Sequence, residues 1–445
     1  MNDRETWATR AGFIIAAIGS AVGLGNIWQF PFKTATNGGA VFLVVYLLAV
    51  FAIGFPAMLA EFVLGRRTHL NAIGAFEQLG HRQWRFAGAL SLLTGFWILS
   101  YYSVVGGWVI RYIVGSATGA YFGAPAEYFG AISSGPDAVV LHAVFMFVTV
   151  GIVALGVEDG IERATKIMVP SIVVIMIGLA VWAATLGGAG AGYAYFLDPD
   201  FSVLIANAGD VIPFAVGQAF FTLSLGMGIM ITYSSYISED DHLPIDGGSI
   251  VIVNTLIGVL AGLVVFPILF SIGVDPNTSG PSAIFVAMAS AFGQLPYGRV
   301  LGVIFFAVVL IAALSSAISL LEVTVSYFVD TWGIGRVKLS AVVGLALFVL
   351  GLPSAWKTAW LGWFDTLAYK LLLPTAVLLI LLFVGWVLAD DALDELRKGA
   401  GRLDLFGPFW LWMIRTLVLL GVLITLALGI QTLFFGQNPA IIPPI

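Results

Sequence analysis

The sequence predicts an all-α polytopic membrane protein, one transmembrane domain over residues 1–445, and three observations carry the prediction. First, 60% of the residues are hydrophobic and 10% charged, with a mean hydropathy of +1.02. So few charges cannot cover a water-facing surface, and lipid must be the solvent. Second, about eleven apolar runs are long enough to cross a bilayer core of about 30 Å. Third, glycines and polar residues interrupt the first and sixth runs at the depth where hydrocarbon should be deepest.

The first run covers 12–36. The polar stretch before it, Met1 to Arg10, leads straight into it, with no compact apolar region followed by a small-residue cleavage site. The run is therefore read as a retained span, not a signal peptide. Within it, Gly19-Ser-Ala-Val-Gly-Leu-Gly-Asn26 places Gly19, Gly23, Gly25 and the polar Asn26 at mid-membrane. Glycine is a poor helix former and permits an unwound backbone. Irregular backbone at that depth is tolerated only where it is buried in protein or lines a wet cavity. A small-residue face for helix packing would use the same glycines, so this stretch alone leaves both readings open.

The next runs fall at 40–65, 88–115, 138–156 and 165–186. The sixth, 206–236, repeats the oddity of the first: Phe221-Thr-Leu-Ser-Leu-Gly-Met-Gly228 holds two glycines and two hydroxyls at mid-span. Runs at 249–273, 297–329, 338–353, 362–389 and 408–434 complete the set. An amphipathic piece near 281–293 is too short to span and reads as a re-entrant or capping helix.

Arg4, Arg10, Arg66, Arg67, Arg82, Arg85, Arg163, Lys166, Arg336, Lys338, Arg397, Lys398 and Arg402 all fall beside one set of alternate loops. The opposite loops, around 117–137, 187–205 and 274–296, carry almost none. This places the N-terminus in the cytoplasm of a prokaryotic inner membrane. An odd number of spans then puts the C-terminus outside. Spans one and six lead two five-span halves, about 10–190 and 200–390, with an extra helix at about 408–434. Five is odd, so the second half enters from the opposite side and the halves are inverted repeats. Matching interruptions in the leading helices of two such halves point to a transport site.

Other chemistries find little support. Cysteine is absent, which removes disulfides, thiolate nucleophiles and cysteine metal sites. His69, His81, His142 and His242 are scattered without ligand spacing. No Ser–His, Asp–Asp or H-E-x-x-H arrangement lies within the spans, so an intramembrane enzyme is disfavoured, and the paired breaks favour occlusion over a channel.

At this point the chain resembles the neurotransmitter:sodium symporters, whose fold is that of the leucine transporter. The segments that carry the resemblance are Arg4-Glu-Thr-Trp-Ala-Thr-Arg10, Ala21-Val-Gly-Leu-Gly-Asn26, Asn37-Gly-Gly39, Gly217-Gln-Ala-Phe-Phe-Thr-Leu-Ser-Leu-Gly226 and Ser315-Ser316. Eleven spans resemble a bacterial branch that includes transporters of several hydrophobic amino acids.

The resemblance implies two sodium ions. Sodium is a hard cation that prefers oxygen ligands. One ion would take the Ala21 carbonyl with Asn26, Thr222 and Asn254. The other would take the carbonyls of Gly19, Val22 and Ala312 with the hydroxyls of Ser315 and Ser316. The amino-acid carboxylate would meet the N–H groups of Leu24 and Gly25, where a half-helix begins, and the Tyr102 hydroxyl. The ammonium would meet the carbonyls of Ala21, Phe221 and Thr222 beside Ser224. Ile98, Phe221, Met227, Ser316 and Leu320 would surround the side chain, and an adaptable Met227 favours bulky apolar or aromatic substrates. Amine carriers of the family have Asp where Gly23 stands.

The family's gates are only partly matched. Arg4 and Asp330 fit the inner pair, with Trp7 as a plug. At the outer gate Asp365 is present, but Gln29 stands in place of the usual Arg, which leaves a Gln29–Asp365 hydrogen bond or a charge from Lys33 or Lys370. Gly160 and Pro170, with nine residues between them, match a family motif at which span five can unwind. Tyr46, Gln218, Thr222 and Asn254 fit a chloride cluster, but Gly258 does not complete it, so chloride use stays open. Glu61 and Glu322 are acids within spans, each costing about 2.5–3.5 kcal/mol on insertion. Glu61 either balances charge near the first sodium or bonds loosened backbone.

Overall fold

A computed structural model describes residues 7–238, 240–274, 276, 283–398, 406–435, 441, 443 and 444. Among them, ten helices are long and apolar enough to cross a membrane. The count is eleven when the bent pair Arg10–Ala21 and Gly25–Thr36, inclined by 44°, is taken as span one. The others are Ala40–Thr68, Arg82–Thr118, Pro136–Ala154, Val157–Ala183, Phe201–Thr222, Leu243–Ser271, Gly298–Trp332, Arg336–Trp356, Thr358–Leu388 and Phe406–Phe434, spans two to eleven in order. Each overlaps a run expected from hydropathy.

The helical boundaries have local causes. Thr9 caps span one by accepting from Gly12 N at 3.0 Å. Asp200 caps span six by accepting from Ser202 N at 2.9 Å. Proline stands in the first turn of spans four and seven, where its missing N–H costs nothing.

Packing places the interrupted helices at the centre. The first half of span one lies against spans five, seven and eight. Span eight runs along span three, and the short second half of span six, Ile229–Ser234, lies on span two. Spans four and nine flank this group, while span eleven packs on span ten. Large apolar side chains such as Phe147, Ile167, Ile205 and Leu345 point outward from the bundle, as lipid-facing residues do.

The short piece after span seven forms a helix, Ala283–Gln294. Its Phe285 sits among Trp28, Trp108 and Tyr112, with ring centroids at 6.0, 5.9 and 5.2 Å. It therefore caps the bundle at the end away from the N-terminus. At the other end a short helix, Asp390–Arg397, docks on span two. There Arg66 and Glu395, both fully buried, pair at 2.7 Å.

Candidate functional site

Span one loses its helical backbone after Ala21, where Val22 turns extended (φ −81°, ψ 97°). The freed N–H groups find side chains. Gly23 N donates to Asn26 Oδ1 at 3.2 Å, and Leu24 N donates to the Tyr102 hydroxyl at 3.1 Å. Span six ends at Thr222 and resumes at Ile229. Between them Ser224 has φ +55° and Gly226 φ +72°, a left-handed path that no helix follows. The buried Glu61 carboxylate takes the loosened Gly226 N–H at 2.7 Å. Of the two readings open for this acid, its position matches the bond to loosened backbone.

The two breaks meet. Ser224 Oγ donates to the Ser20 carbonyl at 3.2 Å, and Ser316 Oγ donates to the same oxygen at 2.8 Å. Around them lies a narrow cavity of about 20 Å³. Ala21, Gly25, Ile98, Tyr102, Phe221, Ser224, Met227, Ser316 and Leu320, nine of the eleven substrate residues expected from the sequence, line it. Leu24 and Thr222 stand just behind the wall. Ser20, Gly23 and Ile229 also line the cavity. Ser20 was missed because its contribution is a carbonyl, which carries no side-chain signal. Its place between Gly19 and Ala21, just ahead of the break, was the available clue.

Two groups of oxygens converge beside the cavity. In the first, Asn26 Nδ2 donates to Asn254 O at 3.0 Å and to its Oδ1 at 2.9 Å. The same amide head lies 3.0 Å from the Ala21 carbonyl and 3.2 Å from the Thr222 carbonyl. With Oδ1 in that position, acceptors face acceptors. With the amide turned, its N–H₂ donates to both carbonyls and its oxygen accepts from Thr222 Oγ1 at 3.3 Å. A cluster of neutral oxygens that needs a donor at its centre also fits a hard cation, so these residues suit sodium as a transported ion.

In the second group, Ser315 Oγ lies 3.2 Å from the Val22 carbonyl and 2.9 Å from the Ala312 carbonyl. The second contact is ordinary back-bonding to the preceding turn. The first crosses from span eight to the break in span one. Gly19 packs against span five, where a Cβ would meet methyl carbons of Thr165 and Val169 at 3.1 Å. The hydroxyl of Ser316 engages the carbonyl of Ser20, one residue further along.

At the outer end the expected Gln29–Asp365 hydrogen bond is not made among the described residues. Asp365 Oδ1 accepts from the Tyr101 hydroxyl at 3.1 Å, and Gln29 Oε1 is buried without a partner. At the N-terminal end, Trp7 is buried, with its Nε1 donating to the Tyr233 carbonyl at 3.0 Å. Asp330 accepts from Asn71 Nδ2 at 2.9 Å. Arg4 lies outside the described residues.

Span five opens with a π-helical turn, Val157–Glu162, and continues as helix through Pro170. Glu162 is buried and accepts from Ala8 N at 2.9 Å while pairing with Lys166 at 2.6 Å. It ties the start of span one to the segment where unwinding was expected. At the possible chloride position, a Cβ on Gly258 would lie 3.8 Å from Asn26 Nδ2 and 4.0 Å from the Tyr46 hydroxyl.

The family model described as "Sodium:neurotransmitter symporter family" matches residues 4–122 and 133–438. The chain belongs to that family. It is a sodium-dependent transporter and not an enzyme. Among sodium:neurotransmitter symporters, the sodium-dependent transporter YhdH of Bacillus subtilis is 37% identical, over 94% of this chain and 96% of its own length. A sodium-dependent transporter of Methanocaldococcus jannaschii is 34% identical, over 98% of this chain and 92% of its own. Among solved structures, MhsT in complex with L-phenylalanine superposes with a TM-score of 0.87 at 40% identity, covering 96% of this chain and 100% of that one. The fold is therefore the leucine-transporter fold of this symporter family.

Proposed function

We propose that the protein is a sodium-coupled symporter of hydrophobic and aromatic L-amino acids that works by alternating access. The observation that carries the proposal is the cavity at the double break. Its wall combines bare peptide groups and hydroxyls with the apolar side chains of Ile98, Phe221, Met227, Ile229 and Leu320. A zwitterion with an apolar side chain needs both kinds of partner. MhsT, the relative with L-phenylalanine bound, supports this choice of class.

In this reading the carboxylate lies by Leu24, Gly25 and Tyr102, and the ammonium by the carbonyls of Ala21, Phe221 and Thr222. One sodium takes Ala21, Asn26, Thr222 and Asn254; the other takes Gly19, Val22, Ala312, Ser315 and Ser316. The halves at about 10–190 and 200–390 rock about these sites, with the N-terminus in the cytoplasm. A tenfold sodium gradient with 100 mV supplies about 3.7 kcal/mol per ion. Two ions then support up to about 10⁵-fold accumulation of a zwitterion.

A carrier of amines without a carboxylate is the rival. Among the described residues no acid lines the cavity, and a side chain at Gly23 would strike Ser316 Oγ. The test is uptake of each of the twenty amino acids and a panel of amines into proteoliposomes, with and without a sodium gradient. Sodium-dependent uptake confined to large apolar amino acids is expected. Uptake of amines alone, or of glycine-sized amino acids in preference, overturns the reading.

A further inference from the structure

We propose that Lys33 is the cation of the outer gate, closing against Asp365 over a cradle of aromatic rings. The inference rests on the symporter reading above and concerns how its outer path is shut.

Four residues separate Gln29 from Lys33, one turn of the same half-helix, so the two share a face. Gln29 is buried with its side-chain oxygen unpartnered and brings no charge to Asp365. The Lys33 ammonium lies 4.5 Å from the ring centroid of Phe214 on span six and 5.5 Å from that of Tyr369 on span ten. Those distances are within cation–π range. Tyr369 follows Asp365 by four residues, and its hydroxyl donates to the Phe214 carbonyl at 3.0 Å. The cradle therefore joins spans one, six and ten on the face that carries Asp365.

Charge partition favours the same pairing. The charges near enough to act on Lys33 are Asp365, which attracts it, and Lys370, which repels it. Lys370 has other company: its ammonium donates to Thr432 Oγ1 of span eleven at 3.0 Å, and the acid that attracts it is Asp210. Of the two lysines that remained open from the sequence, Lys370 faces span eleven and Lys33 faces the gate. Asp365 accepts from Tyr101 on span three, so the closing contact reaches across four spans.

The chain has no cysteine, so a single reporter reads gate closure without reference to substrate. Val105 is buried on span three, one turn beyond Tyr101 and Tyr102 toward the outer end. In a Val105→Cys parent, alkylation by an impermeant maleimide is timed in sodium, beside uptake of L-phenylalanine. Lys33→Gln is expected to speed alkylation at least fivefold. Adding Gln29→Arg to Lys33→Gln is expected to return it to within about twofold of the parent, as is Lys33→Arg alone. An unchanged rate in Lys33→Gln overturns the proposal, and so does failure of Gln29→Arg to restore it. Slow, parent-like alkylation of Lys33→Arg also requires that the protein is folded. If the parent takes up no amino acid, the substrate reading fails, while the alkylation rates still decide the gate.

Discussion

A methyl group at position 23 would stand 2.2 Å from Ser316 Oγ and 2.9 Å from the Tyr102 hydroxyl. Neither neighbour is free to retreat: Ser316 is bonded to the Ser20 carbonyl, and Tyr102 to Leu24 N. Glycine is required here for close approach, not for turning. Gly23→Ala is expected to lower sodium-dependent uptake at least tenfold although alanine is the better helix former, because spans one and eight must part to admit it. Uptake within twofold of wild type, at equal expression, would contradict that account. Asn26 is a second position of this kind. Its amide accepts from Gly23 N and donates to the Asn254 backbone carbonyl, so Asn26→Ala leaves buried polar groups unpaired at about 1–3 kcal/mol each. It also removes a proposed sodium ligand. Sodium-dependent uptake should be lost while the protein still reaches the membrane; retention of uptake would remove Asn26 from the ion site.

The broken half of span six shows how an element is held open. Its path runs through Ser224 and Gly226 at positive φ, and the buried acid Glu61 receives the Gly226 N–H. A Cβ on Gly226 would lie 2.8 Å from the Leu373 carbonyl. Gly226→Ala is thus strained twice, by about 1–3 kcal/mol from the backbone alone. Thermal unfolding of the purified variant should begin at lower temperature than wild type, and an unchanged midpoint would mean that the break relaxes elsewhere. Both breaks were legible in the sequence, because glycines and polar residues at mid-span contradict their apolar surroundings. The spans were legible for the same reason, since length and hydropathy are local. What escaped was whatever depends on partners far along the chain. The carbonyl of Ser20, the reach of Glu162 to Ala8 and the burial of Arg66 against Glu395 leave no local trace. Gln29 was recognised as a departure, but the burial of its unpartnered oxygen depends on packing that the local sequence does not show.

On the scale of the whole molecule, the two ends of the central path are closed by different means. The outer end is shut by rings and by the Asp365–Tyr101 contact. The N-terminal end is shut by Trp7, packed edge-on against Tyr233 at 5.1 Å and Tyr236 at 5.9 Å. Around that plug, Arg10 pairs with Asp246 at 2.6 Å and Glu322 with Arg336 at 2.5 Å. The Trp7 and Arg10 contacts tie span one to spans six and seven, and the Glu322–Arg336 pair ties span eight to span nine, so the first half-helix cannot swing out without breaking the ring and Arg10 contacts together. The Glu322–Arg336 pair is largely buried, and removing either partner costs about 3–5 kcal/mol, as does removing a large buried aromatic. Of these groups the tryptophan is the one that plugs the start of span one. Trp7→Ala should shift the population toward a state open at the N-terminal face. In the proposed symport cycle, sodium and substrate are held together by molecules closed at this end, so apparent affinity falls in proportion to the closed fraction. A shift of about 1.4–2.8 kcal/mol weakens sodium-dependent binding of L-phenylalanine about 10- to 100-fold. Raising sodium should recover part of the loss, because ions that bind the closed state draw the population back. Equilibrium binding on purified protein at two sodium concentrations measures both effects. Affinity equal to wild type at low sodium would show that the charged contacts, not the ring, hold this end shut.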